Sequence, residues 1–247
     1  MKIKMVLISL MMLNILVSLG HSEVIKVGLE PFPPLINEDA TGFSIDMLHA
    51  IEKVSDMIFL IKIMQYNRAK LKLKNGQKDL IGHTPYQVET KDFYVYAQEL
   101  NWSMGTFVDI FSMNKANLEP KKFKTLKIGT PWGNEGFFSK LFEIPISQFH
   151  PASLNNFIKL MKKKRIDLFI FERASTMIIV KENKVKNMFY RQLDSISVGL
   201  AVGKGAKGDN LKKKLDASIQ KLNQQNIFGK YFKYLKMPKS GVVPLGE

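Results

Sequence analysis

Apolar residues recur along this chain in two kinds of pattern. Short runs rich in β-branched and other apolar residues predict strands, as in "VIKVGL" from Val24, "IFLIKIM" from Ile58 and "SISVGLAVG" from Ser195. Other stretches place apolar residues three and four positions apart and predict helices. These positions are Phe43, Met47, Leu48, Ile51 and Val54 in one stretch, and Leu154, Phe157, Ile158 and Met161 in another. Strands that alternate with single helices predict an α/β protein with doubly wound parallel sheets.

The chain contains two pairs of similar segments, which we call echoes. The two pairs occur in the same order in each half. "IKVGLEPF" from Ile25 and "LKIGTPWG" from Leu126 both have an apolar residue, a lysine, a β-branched residue and a glycine in succession. "LKNGQKDLIGHT" and "MKKKRIDLFIFE" each run from a basic helix end through an aspartate, Asp79 or Asp167, into a short apolar strand. The echoes predict two α/β lobes, of which the second is the smaller.

The late strand pattern indicates that the chain returns to the first sheet near its end. We expect residues 23–108 and 197–247 to form lobe 1, and residues 109–196 to form lobe 2. The chain would then cross between the lobes twice, near residues 103–113 and 191–202.

Residues 1–22 have the three-part pattern of a secretory signal peptide. Lys2 and Lys4 precede an uncharged, mostly apolar run from Met5 to Leu19, and small or polar residues follow. The run is shorter than the ~18 to 20 apolar residues that a spanning helix needs, which favours cleavage over an uncleaved anchor. The chain has no cysteine, so it has neither disulfides nor a lipid-bearing cysteine. We expect a soluble protein of the periplasm.

The formal net charge of +15 raises the question of nucleic-acid binding. The lysines, however, are spread along predicted helix faces, and no groove-reading module or aromatic-basic motif accompanies them. We therefore expect no nucleic-acid partner, and a solvated basic surface that faces anionic polymers of the cell envelope.

Polar and aromatic side chains follow the predicted strands at the points where they end. Open α/β sheets bind ligands just past the carboxyl ends of their strands, so these residues would line a cleft between the lobes. They include aromatic faces, hydroxyl groups and both charge signs, which suits a small polar ligand. The residues are Glu30, Phe32, Tyr66, Asn67, Arg68, His83, Thr84 and Tyr86 in lobe 1, and Thr130, Trp132, Asn134, Glu172 and Arg173 in lobe 2.

Five stretches in a fixed order carry a family resemblance. They are "GLEPFPPLINEDATGFSIDML", "NRAKLKLKNGQKDLIGHTPYQVETKDFYVYAQE", "LKIGTPWGNEG", "KKKRIDLFIFE" and "LAVGKGAKGDNLKKKLDASIQKLNQQNIFGKYFKYL". With these motifs the chain resembles the family 3 extracellular solute-binding proteins, the two-lobed periplasmic receptors that serve transporters of polar amino acids and related solutes. The resemblance implies the type II periplasmic-binding-protein fold, in which two doubly wound sheets are joined by two crossing segments.

The chain departs from the family at two ligand-contacting positions. Amino-acid-binding members place an arginine about a dozen residues after the aspartate that matches Asp79, where its planar fork holds the ligand carboxylate. That position holds Lys91 here, and lysine supplies the charge without the fork. The family's aspartate for the ligand ammonium corresponds to Glu172. Arg68 is an alternative partner for the carboxylate, and the choice between Arg68 and Lys91 stays open.

These considerations define a set of expected ligand-binding residues and exclude other kinds of site. "GKGAKG" from Gly203 matches a dinucleotide-binding pattern but lacks the acidic residue about twenty positions on. The four histidines have no metal-ligand spacing, so we expect no metal and no cofactor. The expected ligand-binding residues are Glu30, Phe32, Arg68, His83, Thr84, Tyr86, Lys91, Trp132, Asn134 and Glu172.

The sequence therefore favours a monomeric, non-catalytic receptor that captures a small polar ligand, an amino acid or related carboxylate, by hinge closure. Its partner would be the permease of an ABC transporter. One alternative is an enzyme on the same fold, such as a cyclic-acid dehydratase, with Glu30 or Glu172 as general acid. Another is a receptor that reports to a membrane sensor.

Overall fold

The computed structural model describes residues 22–245, in which strands and helices alternate along the chain. The strands are β1 (Glu23–Leu29), β2 (Met57–Ile63), β3 (Leu80–Pro85), β4 (Ala97–Ser112), β5 (Ile128–Pro131), β6 (Phe149–Ala152), β7 (Leu168–Glu172), β8 (Phe189–Gly203) and β9 (Ser240–Val242). The α-helices are α1 (Phe43–Glu52), α2 (Tyr66–Lys74), α3 (Phe93–Tyr96), α4 (Glu135–Phe142), α5 (Phe157–Lys162), α6 (Arg173–Glu182), α7 (Ala206–Gln220) and α8 (Gln224–Phe228). Short 3₁₀ helices include Leu154–Asn156 and Tyr231–Lys236.

The strands follow the order β2-β1-β3-β8-β4-β7-β5-β6, and β9 pairs with β8. Strand β1 runs parallel to β2 and β3, and β5 runs parallel to β6 and β7. These two groups form the two halves of the fold. Strands β4 and β8 are long and antiparallel, and they join the halves.

The two predicted crossings fall within β4 and β8. The sequence predicted two separate sheets, whereas hydrogen bonding is continuous from one half to the other. The reason is that β4 and β8 pair along nearly their whole length, from Ala97 opposite Gly203 to Ser112 opposite Phe189. Shifts in register occur along this ladder, between Glu99 and Ser103 and again after Val108.

Both faces of the sheet in the first half are covered by helices. Successive residues of β8 point to opposite faces, and Leu200 and Val202 belong to the main core cluster while Ala201 belongs to a smaller one. Helix α2 contributes Tyr66 and Leu73 to the smaller cluster. Covering helices explain why the strand runs are apolar rather than strictly alternating.

The end of the chain does not stay with the first half. Helix α7 packs against β4 and β8, but the following residues run on to the second half, where β9 pairs with Phe189–Arg191 of β8. Tyr231 is fully buried there, and Val243 donates its backbone N–H to the Met188 carbonyl. From the sequence we expect all of residues 197–247 in lobe 1. The helical pattern of these residues does not indicate which half they pack against.

The expected signal peptide lies almost entirely outside the described residues, which begin at Ser22. Within residues 22–245, no helix has both the length and the apolar character needed to cross a bilayer.

Candidate functional site

The loops that follow β1, β2, β5 and β6 meet between the two halves. They enclose a cavity of about 350 Å³. Glu30 and Gln65 line it from the first half, and Trp132 and Ser153 line it from the second. This is the location that the strand-end rule predicts for a ligand.

Glu30 is the buried acidic group of this cavity. Its side chain is 3% exposed, and its two carboxylate oxygens accept hydrogen bonds of 3.1 and 3.3 Å from the Asn134 amide nitrogen. Burial raises the pKa of Glu30 to about 8, against an ordinary value of 4.5, because the bond from Asn134 and the charge of Lys70 compensate only part of the lost hydration. Glu30 is therefore mostly uncharged at neutral pH.

The raised pKa of Glu30 predicts a pH dependence of stability. The unfolded carboxyl ionises near pH 4.5 and the folded one near pH 8, so the stabilisation is complete below pH 4.5 and is lost as the pH rises through about 8. We expect the free energy of unfolding of the Glu30→Gln variant to change less than that of the wild type between those values. Urea unfolding at a series of pH values measures this, and equal slopes would contradict it.

A second contact between the halves is made by Lys70. Its ammonium donates to the Glu89 carboxylate at 2.9 Å and to the Gly133 carbonyl of the second half at 3.1 Å. It also lies 4.3 Å from the centre of the Tyr66 ring, and the Tyr66 hydroxyl donates to Glu89 at 3.0 Å. Lys70 is thus a cation that reaches the boundary between the halves.

The two cations expected to hold a ligand carboxylate are placed elsewhere. Arg68 and Lys91 are both exposed to solvent, whereas the Lys70 side chain is 19% exposed. The sequence contained an indication that Lys70, and not Arg68, would be partly buried. Tyr66 and Lys70 are four residues apart on one helix and therefore share a face, while Arg68 points away from that face.

Phe32 and His83 pack beneath the cavity. The Phe32 ring stacks on His83 with centroids 5.2 Å apart and meets Phe171 of the second half edge-on at 5.3 Å. His83 Nε2 lies 2.8 Å from the Ser44 hydroxyl, and burial lowers the pKa of His83 to about 3, so the ring is neutral. The aromatic elbow after β1 thus packs against both halves.

Thr84 and Tyr86 lie beside β8. Thr84 is fully buried and its hydroxyl donates to the Gly199 carbonyl at 3.4 Å. Tyr86 is half-buried, and its backbone N–H donates to the Ser197 carbonyl at 2.9 Å. Neither residue lines the cavity beside Glu30.

Glu172 lies at the start of α6, where its carboxylate caps the helix. It accepts backbone N–H bonds from Ala174 at 3.0 Å and Ser175 at 2.7 Å. The hydroxyls of Thr106 and Tyr231 also donate to it, at 2.6 and 3.1 Å. Burial raises the pKa of Glu172, and these bonds oppose the rise. The structure thus brings Glu172 together with the tail of the chain rather than with Glu30.

Of the ten expected site residues, the structure brings Glu30, Trp132 and Asn134 together at the cavity. Gln65 and Ser153 join them there, although the sequence did not single them out. Within residues 22–245, no group of three or more histidine, aspartate or glutamate side chains is arranged to hold a metal ion.

Comparison with known proteins supports the fold. No family model and no curated sequence matches the chain. A histidine kinase sensor domain with similarity to periplasmic binding proteins aligns with a TM-score of 0.71 and 14% identity, covering 89% of this chain and 99% of the sensor domain. A histidine-bound substrate-binding protein of an ABC uptake transporter from Streptococcus pneumoniae aligns with a TM-score of 0.69 and 17% identity, covering 88% and 94% of the two chains.

The substrate-binding protein of an amino acid ABC transporter also has a TM-score of 0.69, with 21% identity and coverage of 87% of this chain and 100% of its own. At such identities the similarity establishes the fold. The chain has the two-lobed α/β fold of the periplasmic binding proteins, which confirms the predicted fold class and, at the level of the fold, the resemblance to family 3 solute-binding proteins.

Proposed function

We propose that this protein is a non-catalytic receptor that captures a small polar solute between its two halves. The observation that carries the proposal is the placement of Glu30, which is buried beside the cavity with a neutral amide as its hydrogen-bonding partner. The similar solved structures include amino-acid substrate-binding proteins of ABC transporters, which supports the role. In the proposed setting the protein is a periplasmic monomer that delivers an amino acid or related carboxylate to a permease.

The ligand of this receptor carries a cationic group. A cation beside Glu30 would restore the ionised form of the carboxylate, because an opposite charge within a few ångströms favours ionisation. Trp132 lines the same cavity and is 39% exposed, so its ring offers a face for a cation–π contact. The two groups together select a positively charged or zwitterionic solute.

Closure of the two halves would couple to ligand binding. Glu30 with Asn134, and Lys70 with the Gly133 carbonyl, connect residues that an opening motion separates. A ligand that contacts both halves stabilises the closed form, and the population shifts toward it.

The test is a thermal-shift screen of the twenty amino acids and putrescine, followed by calorimetry with any compound that stabilises the wild type. Glu30→Gln should weaken binding of that compound at least tenfold, because a hydrogen bond to a charged group contributes about 1.5 to 3 kcal/mol. Arg68→Gln and Lys91→Gln are matched controls on the exposed surface and should bind like the wild type. If the control variants lose binding and Glu30→Gln retains it, the cation site has been misplaced.

A membrane sensor is a second candidate for the partner, supported by the similarity to a histidine kinase sensor domain. Uptake of the radiolabelled compound by cells that lack this protein distinguishes a transporter partner from a membrane sensor. Abolished uptake supports delivery to a transporter, whereas unchanged uptake with a lost transcriptional response supports the sensor.

An enzyme on this fold is also a candidate, because the pKa of Glu30, about 8, keeps a protonated carboxyl in the cavity at neutral pH. Such a group serves as a general acid. Incubation of the purified protein with the compound that it binds decides between the two functions. Recovery of unchanged compound supports the receptor, and a dehydrated product that requires Glu30 supports the enzyme.

A further inference from the structure

The cavity beside Glu30 continues past Trp132 into a second cavity of about 470 Å³ on the second half. The two cavities share Gln65, Trp132 and Ser153 in their walls. The rest of the lining of the second cavity includes three cationic side chains, Lys159, Lys163 and Arg165. We call this second cavity the basic groove.

The three cations of the basic groove are exposed, and none forms an ion pair with another residue of the described range 22–245. Positive charges that line one concave surface raise the local concentration of anions. The groove therefore favours an anionic group, whereas the cavity beside Glu30 favours a cationic one.

A third cavity, of about 440 Å³, adjoins the first one through a different set of shared residues. It shares Pro31, Glu38 and Leu154 with the cavity beside Glu30, and Asp39 and Glu182 complete its acidic lining. Hydrogen bonds from Thr41 lower the pKa of Asp39, so its carboxylate stays ionised near neutral pH. The charge along the cleft thus changes from negative at one end to positive at the other.

We propose that the ligand is an elongated zwitterion, a short peptide with free termini, whose ammonium lies near Glu30 and Glu38 and whose carboxylate lies in the basic groove. This inference rests on the proposed receptor function and deepens it. A single amino acid places its ammonium and carboxylate on one carbon, whereas the acidic and the basic linings belong to different cavities. A tripeptide extends over about 10 Å, at roughly 3.3 Å per residue.

The walls between the two ends suit a peptide backbone. Gln65 and Ser153 offer polar side chains to amide groups, and Trp132, Pro31 and Leu154 offer apolar surface to side chains. Pockets that combine an apolar lining with a few polar groups are typical of small-ligand sites.

The experiment begins with an equimolar pool of twenty tripeptides of the form Xaa-Ala-Ala, where Xaa is each amino acid in turn. Native mass spectrometry of the wild-type protein identifies the retained peptide. Calorimetry then compares this peptide with its carboxy-terminal amide and with the free amino acid Xaa. We expect the peptide to bind at least tenfold more tightly than either, because only the peptide combines the required length with a terminal carboxylate.

The double variant Lys163→Gln, Arg165→Gln assigns the carboxylate to the groove. In this variant the peptide and its amide should bind within threefold of each other. Lys121→Gln, Lys124→Gln is the matched control, since it removes the same charge from exposed positions elsewhere and should preserve the tenfold preference.

Three results would overturn the proposal. They are retention of no tripeptide, equal affinity for peptide and amide in the wild type, and binding of a free amino acid as tightly as any peptide. If free amino acids bind and the Glu30→Gln variant loses them while the basic-groove variant does not, the receptor function stands and the elongated ligand is rejected. If neither variant changes the binding of any probe, both proposals fail.

Discussion

Replacement of Arg173 by methionine is expected to destabilise the protein by about 3 to 5 kcal/mol, the usual consequence of leaving one partner of a buried ion pair alone. Arg173 is fully buried, and its guanidinium donates to both Asp109 carboxylate oxygens, at 2.7 and 3.0 Å. The same group donates to the Gln192 side chain at 3.1 Å and lies 4.4 Å from the centre of the Phe107 ring.

The loss of stability arises at Asp109. Burial already raises the pKa of Asp109 to about 6 although Arg173 opposes the rise, so removal of the guanidinium would leave a carboxylate with neither water nor a cation. Urea unfolding at pH 8 measures the loss. The double variant Arg173→Met, Asp109→Leu should recover part of it, because an apolar pair avoids the unpaired charge.

Arg191→Met serves as the matched control. Arg191 pairs with Glu119 at 3.6 Å, and both side chains are substantially exposed, so we expect a change of about 0 to 1 kcal/mol. A similar small change for Arg173→Met would mean that Asp109 finds another partner, and the assigned role of the ion pair would be wrong.

Replacement of Gly133 by alanine is expected to weaken ligand binding about 100-fold or more by obstructing closure. Gly133 has φ of +96°, and a Cβ at this position would lie 2.5 Å from the backbone nitrogen of Asn67 in the other half. Left-handed backbone costs a residue other than glycine about 1 to 3 kcal/mol. In the proposed closing motion this backbone cost applies to both forms, whereas the overlap with Asn67 arises only when the halves approach and therefore opposes closure.

The matched control is Gly136→Ala, three positions later in α4, where an added Cβ meets no atom within 4 Å. Calorimetry with the compound found in the thermal-shift screen should give wild-type affinity for the control. Small-angle scattering in the presence of that compound should show a more extended Gly133→Ala protein. Wild-type affinity in Gly133→Ala would show that binding does not require this approach of the two halves.

Local sequence patterns were sufficient to predict much of the fold. The echoed strands of "IKVGLEPF" and "LKIGTPWG" became β1 and β5, and the loops after them carry Glu30 and Asn134, which meet across the cleft. Such residues are predictable because the carboxyl ends of parallel strands share one edge of a sheet. This rule predicted Glu30 and Trp132 as site residues without any knowledge of their contacts.

The cation that joins the halves, Lys70, was predictable only in part, from its place four residues after Tyr66 on one helix. Arg68, Lys70 and Lys91 are all basic residues near strand ends, and the packing of α2 against the other half decides which one reaches the boundary. The role of Glu172 depends on Tyr231, a residue far along the chain whose approach no local pattern indicates. The sequence therefore did not predict the site residues that depend on tertiary contacts, and it also missed Gln65 and Ser153, which follow the ends of β2 and β6.

The position of β8 has a consequence for the way this chain is synthesised. Strand β8 lies between β3 and β4 in the sheet, yet it emerges from the ribosome only after β5, β6 and β7 of the second half have been made. At roughly 5 to 20 residues per second, β3 and β4 wait for several seconds with unpaired edges. The sheet of the first half therefore stays without the strand between β3 and β4 until β8 has been made.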